Sequence, residues 1–380
     1  MQPVDIAAAS LRANILTLPS GKYVTAGQNQ FLTLWTRDFC HAVRGLLAIG
    51  EDEVVKNHLG YLLKSLRKDG LVPRVVDNHI VQFRVVYQSA RKLLPFMPKL
   101  SFKEPLRPQY VDEHGSHAVD SNLLLILACI QVYHRPGGKE FWNLHELQLR
   151  KVWQWYHGRF HEGLITQTAF ADWQDSAKRE GKAFLTNLFY FLAATRLRQI
   201  GWNVDVNLEE FKQKIQSKFF NQEQGIFMSL EGYPQVSVEG NLFALETSDF
   251  LNDEQRKNLW AALKNHSVVA MDGVIGRCGY PNWPIEDQAF HFKIAHLNHY
   301  HGDLTWSWLM GLGLKVCKIM KDENMIIKQM DHVTRLLERD QVVIEVYDPE
   351  KDFEGWGSKV IQAERPFAWG SGYLVEALLV

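Results

Sequence analysis

The sequence predicts an all-α fold, a double-layered toroid of six helical hairpins, and three observations predict it. Apolar residues recur with a helical period through segments of roughly 12 to 20 residues, separated by Gly, Pro, Asn and Asp breaks. Successive helices alternate in character, one apolar nearly all round and the next charged along a whole face. Every second helix also opens on an unusual polar cluster, so a ring of parallel inner helices gathers these clusters at one mouth.

Helices are expected at 2–16, 36–49, 51–68, 118–134, 143–157, 182–200, 207–219, 239–250, 254–264, 303–320, 322–339 and 364–379. The inner ones open on "WTRDF" at 35, "HAVDSN" at 117, "WQDSAKREG" at 173, "SVEGN" at 237, "HGDLTW" at 301 and "AERPFAW" at 363. Bodies such as "NLLLILACIQVY" and "LTNLFYFLAATRL" have no polar face and belong inside a second layer. The intervening "EDEVVKNHLGYLLKSLRK", "NLHELQLRKVWQWYH", "NLEEFKQKIQSKFF", "DEQRKNLWAALKN" and "MIIKQMDHVTRLLERD" are amphipathic outer helices. An irregular helical solenoid is the alternative, but no repeat of fixed period supports it. Strand-like stretches are few, "LVPRVV" near 71 and "VVIEVYD" near 342, and fit short β excursions in the mouth loops. Between 83 and 110, "FRVVYQSARKLLPFMPKLSFKEPLRPQ" is proline-rich and basic and interrupts the hairpin rhythm, as an insertion covering or lining the mouth does. Nothing else reads as a linker, so residues 1–380 form a single domain.

Composition removes several functions. Lysine plus arginine nearly cancels aspartate plus glutamate, at a formal charge of −1, leaving no global basic field for nucleic acid or an anionic membrane. Neither is expected as a partner. The start "MQPVDIAAASLRANILTL" lacks a basic region followed by a long apolar stretch, and no later segment approaches a membrane-spanning run, so a cytoplasmic protein is expected. Cys40, Cys129, Cys278 and Cys317 are scattered and read as reduced structural thiols. In "HFKIAHLNHYH" the histidines are His291, His296, His299 and His301; only His296 and His299 can share a helical face, and ordinary polar histidines fit better than metal ligands. No metal or organic cofactor is expected, and nothing sets an oligomeric state.

Pooled, the clusters hold Asp38, Asp120, Asp172, Asp175, Glu239, Asp303 and Glu364, the cations Arg37, Lys178, Arg179 and Arg365, and Trp35, Trp173, Trp306, Trp308 and Trp369. Carboxylates among tryptophans suit a sugar: aromatic faces stack on pyranose C–H groups, charged groups bind hydroxyls, and two carboxyls perform acid and base catalysis. Structural readings compete. Asp120 and Asp303 can be helix N-caps. Arg37 and Asp38, being adjacent, point apart. Lys178, Arg179 and Lys182 can be a solvated helix start, although cations there oppose the helix dipole. Glu345 can face outward on an edge strand, although its apolar flanks make a lone carboxylate conspicuous.

The motifs "LWTRDF", "DGLVPRV", "AVDSN", "ADWQDSAKREGKAFLTNLFYFLA", "YHGDLTWSW", "VIEVYDPEKDFEGWGS" and "ERPFAWGSGYLVEAL" follow one another in a telling order. From Ala26 to Leu379 the chain resembles a group of (α/α)6 glycoside hydrolases. The group includes the amylo-α-1,6-glucosidase part of glycogen-debranching proteins, neutral/alkaline invertases and glucosidase I-like enzymes. The resemblance implies that Asp175, opening "DSAKREGK", is the general acid, and that Glu345, of the "E-x-Y-D" motif, is the general base. It implies that Arg37 and Asp38 bind the sugar in the reacting subsite. Asp120, Trp173, His301, Trp306 and Trp369 fall at matching positions, and Trp35, Asp172 and Lys178 complete the expected sugar-binding set, with Asp172 the reserve candidate for the acid. It further implies inversion. Asp175 must then stay protonated, so burial and carboxylates such as Asp172 have to outweigh Lys178 and Arg179.

The expected substrate is an α-linked glucoside or short α-glucan, with sucrose as the nearest alternative within hydrolysis. The chain is shorter than debranching proteins, which carry an additional N-terminal β-rich domain, and "SAKREG" departs from the arginine pair of invertases, so no one member's substrate carries over. A sugar 2-epimerase of the same toroid, using His299 or His301 as proton-transfer base, is an alternative of another class, and a non-catalytic sugar-binding toroid is a third.

Overall fold

A computed structural model describes residues 2–94, 96–294, 300–357 and 361–379. Helix α1 (Pro3–Ala13) is followed by the hairpin of α2 (Thr36–Ala48) and α3 (Asp52–Lys64), and then by α4 (Val81–Leu93). Further hairpins pair α5 (Ser121–Tyr133) with α6 (Gly138–Gln154), α7 (Phe184–Gln199) with α8 (Leu208–Phe219), and α9 (Val238–Glu246) with α10 (Asp253–Asn265). The short α11 (Ser267–Ala270) and α12 (Phe290–Ile294) precede α13 (Ser307–Ile319), α14 (Glu323–Asp340) and α15 (Ala368–Leu379).

The even alternation read from the sequence closes into a ring. Helix α2 packs on α5, α5 on α7, α7 on α9, α9 on α13, α13 on α15, and α15 back on α2. Helices α3, α6, α8, α10 and α14 flank this ring outside, and α1 lies against α15 and α14, so the two ends of the chain make the sixth hairpin. The fold is the expected all-α (α/α)6 toroid. At the closing seam a Cβ on Gly45 would lie 2.5 Å from the backbone of Gly372, so α2 and α15 meet backbone to backbone where only glycine fits.

Helix bounds differ from the expected ones in three informative places. The segment expected at 2–16 stops at Ala13, and Ile15–Leu18 pairs with Gly21–Val24 as a hairpin, because the apolar Ile-Leu-Thr-Leu run meets a Pro-Ser-Gly turn. Helix α6 starts at Gly138, five residues before the expected start at 143, within the glycine pair that follows Pro136, with Gly137 in the left-handed region as its N-cap. Helix α4 lies outside the expected helices, since most of it falls in the stretch read as a proline-rich, basic insertion. It is anchored by Arg84, fully buried, whose Nη2 donates to Asp77 Oδ1 at 2.7 Å.

A recurrent backbone joint positions the mouth. The N–H of the first helical residue donates to the carbonyl of a residue in another mouth loop: Thr36 to Arg74 (3.1 Å), Phe184 to Ser229 (3.0 Å), Val238 to Cys278 (3.2 Å), Ser307 to Glu345 (3.0 Å) and Ala368 to Ala26 (2.9 Å). Short antiparallel pairings reinforce three of these joints, Leu34–Trp35 with Val75–Asp77, Val236–Ser237 with Gly279–Tyr280, and Thr305–Trp306 with Val346–Asp348. Helices usually spend a side chain on such orphan N–H groups. Here the backbone serves the first N–H, and of the helices so joined α2, α7 and α13 have no side-chain cap among the described residues, while α9 also has the Ser237 hydroxyl on the Gly240 N–H. The polar clusters at their starts are therefore free to face the mouth.

Candidate active site

The inner helix starts surround a cavity of about 400 Å³. Asp175 reaches it from the loop before α7, its side chain 27% exposed. Its Oδ2 accepts a hydrogen bond from Arg74 Nη2 at 2.8 Å and lies 3.7 Å from Arg37 Nη1. The opposing ends of both guanidiniums are committed. Arg74 Nη1 donates to Asp112 at 2.9 Å, and Arg37 makes a two-pronged pair with Asp120 at 2.7 and 3.0 Å. Burial raises the Asp175 pKa above the ordinary aspartate value, while Arg74 and Arg37 restrain the rise.

Glu345 lies across the joint with α13. Its backbone N–H donates to the Glu364 carbonyl at 2.9 Å, and its carbonyl receives the Ser307 N–H. The side chain is 3% exposed and accepts one bond on each oxygen: Tyr300 hydroxyl on Oε1 at 2.8 Å and Glu364 N–H on Oε2 at 2.9 Å. Burial pushes its pKa up to about 8 in spite of those two donors, with Glu364 and Asp38 adding to the rise. Asp38, in the first turn of α2, feels the charge of Asp175 and is itself pushed up to about 7, chiefly by burial.

Aromatic rings wall the rest. Trp369 stacks on Trp308 (4.5 Å, 22°), and Trp173 meets Trp308 edge-on at 4.9 Å. His301 lies parallel to Trp306 (5.0 Å, 8°), shares a 2.5 Å hydrogen bond with Ser176, and has its pKa lowered by burial and by Arg179 and Arg37. The indole N–H groups of Trp35 and Trp369, both on cavity residues, find no acceptor among the described residues. Such donors beside stacked rings suit hydroxyl oxygens of a sugar.

Of the expected site residues, Trp35, Arg37, Asp38, Trp173, Asp175, His301, Trp306, Glu345 and Trp369 line this one cavity. Asp120, Asp172 and Lys178 do not. Asp120 stands behind Arg37 and caps nothing with its side chain. Asp172 is buried, accepting from Gln167 Nε2 (2.8 Å), Gln174 N–H (3.1 Å) and Arg179 Nη1 (3.3 Å), and so is not poised to protonate a ligand. Lys178 is exposed to solvent because its loop turns outward, with its backbone N–H on the Asp287 carbonyl. Arg179, fully buried, serves Asp172 and lies 3.8 Å from Glu239, which in turn accepts from Trp173 Nε1 at 3.2 Å. The basic pair of "SAKREG" therefore points away from Asp175, and the cations that do touch it are Arg74 and Arg37.

The residues the sequence reading passed over are Arg74, Asp112, Tyr300 and the α4 wall. Both Arg74 and Tyr300 sit inside quoted motifs, and Arg74 in "LVPRVV" carried the same signal as Glu345, one charge within an apolar run. His296 and His299 lie outside the described residues. No group of three His, Cys, Asp or Glu side chains is placed to hold a metal among the described residues. Likewise no helix there is long and apolar enough to cross a membrane.

No family model matches the chain. No curated protein sequence matches it either. Solved structures do. A GH63 mannosylglycerate hydrolase from Thermus thermophilus superposes with a TM-score of 0.65 at 10% identity, covering 98% of this chain and 98% of the other. A wild-type glycosidase gives 0.64 at 13%, covering 99% and 95%. A rhamnosidase from Klebsiella oxytoca with rhamnose bound gives 0.65 at 13%, covering 98% of this chain and 62% of the other, so this chain spans under two thirds of that protein. The shared fold is the (α/α)6 toroid. At such identities the likeness is one of fold, and the chemistry has to be argued from the cavity.

Proposed function

We propose that the protein is an inverting glycoside hydrolase acting on an α-linked glucoside or short α-glucan, with Asp175 as general acid and Glu345 as general base. The observation that carries this reading is the meeting of a half-buried carboxyl, Asp175, and a buried one, Glu345, with Asp38 and Arg37 in one tryptophan-walled cavity. In the reaction the Asp175 proton passes to the glycosidic oxygen as the bond from that oxygen to the anomeric carbon breaks. A water oxygen bonds the anomeric carbon from the opposite face, and its proton passes to Glu345. Arg74 and Arg37 stabilise the Asp175 carboxylate as it forms, and exchange with solvent resets both groups. Arg37 and Asp38 hold hydroxyls of the reacting ring, and the tryptophan faces stack on its C–H surface.

One observation favours a second assignment. Glu345 is raised to about 8, whereas Asp175 faces two guanidiniums, which would suit Glu345 as acid and Asp175 as base. Alanine variants separate the two. The variant lacking the acid recovers on substrates with an activated aryl leaving group, and the variant lacking the base recovers with azide. Aryl rescue of Asp175→Ala and azide rescue of Glu345→Ala support the first assignment; the reverse supports the second.

The function is tested with sucrose, maltose, isomaltose, panose, trehalose and glycerate glycosides, with mannosides and rhamnosides included because the solved structures of this fold carry those names. NMR follows the first anomer released. Release of the substrate's own anomer overturns inversion. Epimerisation of a free sugar that survives in Asp175→Asn and is lost in His301→Ala points instead to the isomerase reading.

A further inference from the structure

The cavity wall beside Asp175 differs in chemistry from the rest. Asp175 binds Arg74, Arg74 binds Asp112, and the next residue, Glu113, accepts from Gln82 Nε2 of α4 at 3.3 Å, so α4 stands on the Asp175 side. What α4 turns to the cavity is Val81, Val85 and Val86 together with Gln82, whose side-chain nitrogen is given to Glu113. The apolar surface does not stop at the cavity. Ile80 is 67% exposed, Phe83 51% and Val86 67%, a strip running outward along the same helix.

Resting on the glycosidase reading with Asp175 as acid, we infer that the leaving group is an apolar alcohol, alkyl or aryl, carried along α4, rather than a second sugar. The acid protonates the leaving oxygen, so whatever follows that oxygen lies on the acid's side of the cavity. A second sugar there would set most of its hydroxyls against valine side chains that can neither donate nor accept, with Gln82 alone on α4 to answer them, and unpaired hydroxyls are costly to desolvate. An apolar chain instead removes its own surface and that of Val85 and Val86 from water. The step balances as ordinary hydrolysis: the glycoside and water give the free sugar and the apolar alcohol, whose oxygen takes the Asp175 proton. The substrate class thereby narrows from glucan to glycoside of an apolar alcohol.

The experiment takes the sugar released fastest in the panel and compares its methyl, butyl and hexyl glycosides with its disaccharides. The expected kcat/KM rises about threefold per methylene up to hexyl, exceeds that of any disaccharide, and the slope flattens in Val85→Asn and in the exposed-site variant Val86→Ser. A flat alkyl series, a preference for disaccharides, or a slope unchanged in both variants overturns the inference while leaving the glycosidase reading in place. In parallel, 1-hexanol and glycerol are titrated by tryptophan fluorescence. If no glycoside is hydrolysed the catalytic reading fails, and hexanol binding that weakens in Val85→Asn still supports the apolar subsite; equal binding of hexanol and glycerol overturns it as well.

Discussion

Arg74 and Glu345 occupy equivalent places in the ring: the carbonyl of each accepts the first N–H of an inner helix, from Thr36 at 3.1 Å and from Ser307 at 3.0 Å, and each sends its side chain into the cavity. One place carries a cation and the other a carboxyl. The cation is spent on Asp175, to which it donates at 2.8 Å. Removing it favours the protonated form of Asp175, so in Arg74→Met the limb of the kcat/KM–pH profile set by Asp175 moves to higher pH by about one to two units. Arg74→Lys keeps the charge and holds the limb within about half a unit of wild type. A profile unmoved by Arg74→Met would show that Asp175 is not the group titrating.

The other limb belongs to Glu345, whose pKa of about 8 sets it at the alkaline end whichever proton role the residue plays. The Tyr300 hydroxyl donates to its Oε1 at 2.8 Å and so favours the ionised form. Tyr300→Phe removes that preference, and the alkaline limb is expected to rise by about half to one unit. A fall, or no change, would separate the limb from Glu345.

Much of this architecture was legible because the hairpin rhythm is a one-dimensional pattern. A helix such as α5, apolar all round, has to sit inside another layer, and the polar start of each inner helix marked the mouth. What could not be read were distances between loops far apart in sequence. The pair Lys178 and Arg179 stood next to Asp175 in the chain and yet serves solvent and Asp172, whereas Arg74, 101 residues away, is the side chain that binds it. Helix α4 escaped for another reason: its buried face is held by the Arg84–Asp77 pair and not by an apolar stripe.

Asp38 gives a stability prediction whose sign is fixed by its pKa. Raised from 3.8 to about 7 in the fold, it contributes stability that is fully present below pH 4 and is lost as pH rises towards 7. In Asp38→Asn that loss is absent. The variant should therefore match wild type near pH 4 and exceed it by about 1 to 3 kcal/mol above pH 7, while losing activity. Urea unfolding at pH 4.5, 6 and 8 measures the opening gap. A gap of constant size across the three would mean that the Asp38 carboxyl is not held in the protonated form.

Gly27 supports the catalytic wall at second hand. A Cβ there would fall 1.9 Å from Cγ of Glu364, which is buried and cannot swing aside. The Glu364 carboxylate receives the N–H groups of Gln28 and Phe31, both at 3.1 Å, holding the loop that brings Gln30 and Phe31 to the cavity. Its backbone N–H holds Glu345 Oε2, so a shift of Glu364 reaches the carboxyl proposed as general base. Gly27→Ala is expected to cost about 1 to 3 kcal/mol of stability by overpacking, and to lower kcat/KM about tenfold or more because small displacements of reacting groups are strongly felt. Gly158→Ala is the control, since nothing lies within 4 Å of a Cβ at that position. Melting temperatures and kcat/KM for both variants test the relay. If Gly27→Ala loses stability but keeps full activity, Glu364 anchors the loop without positioning Glu345.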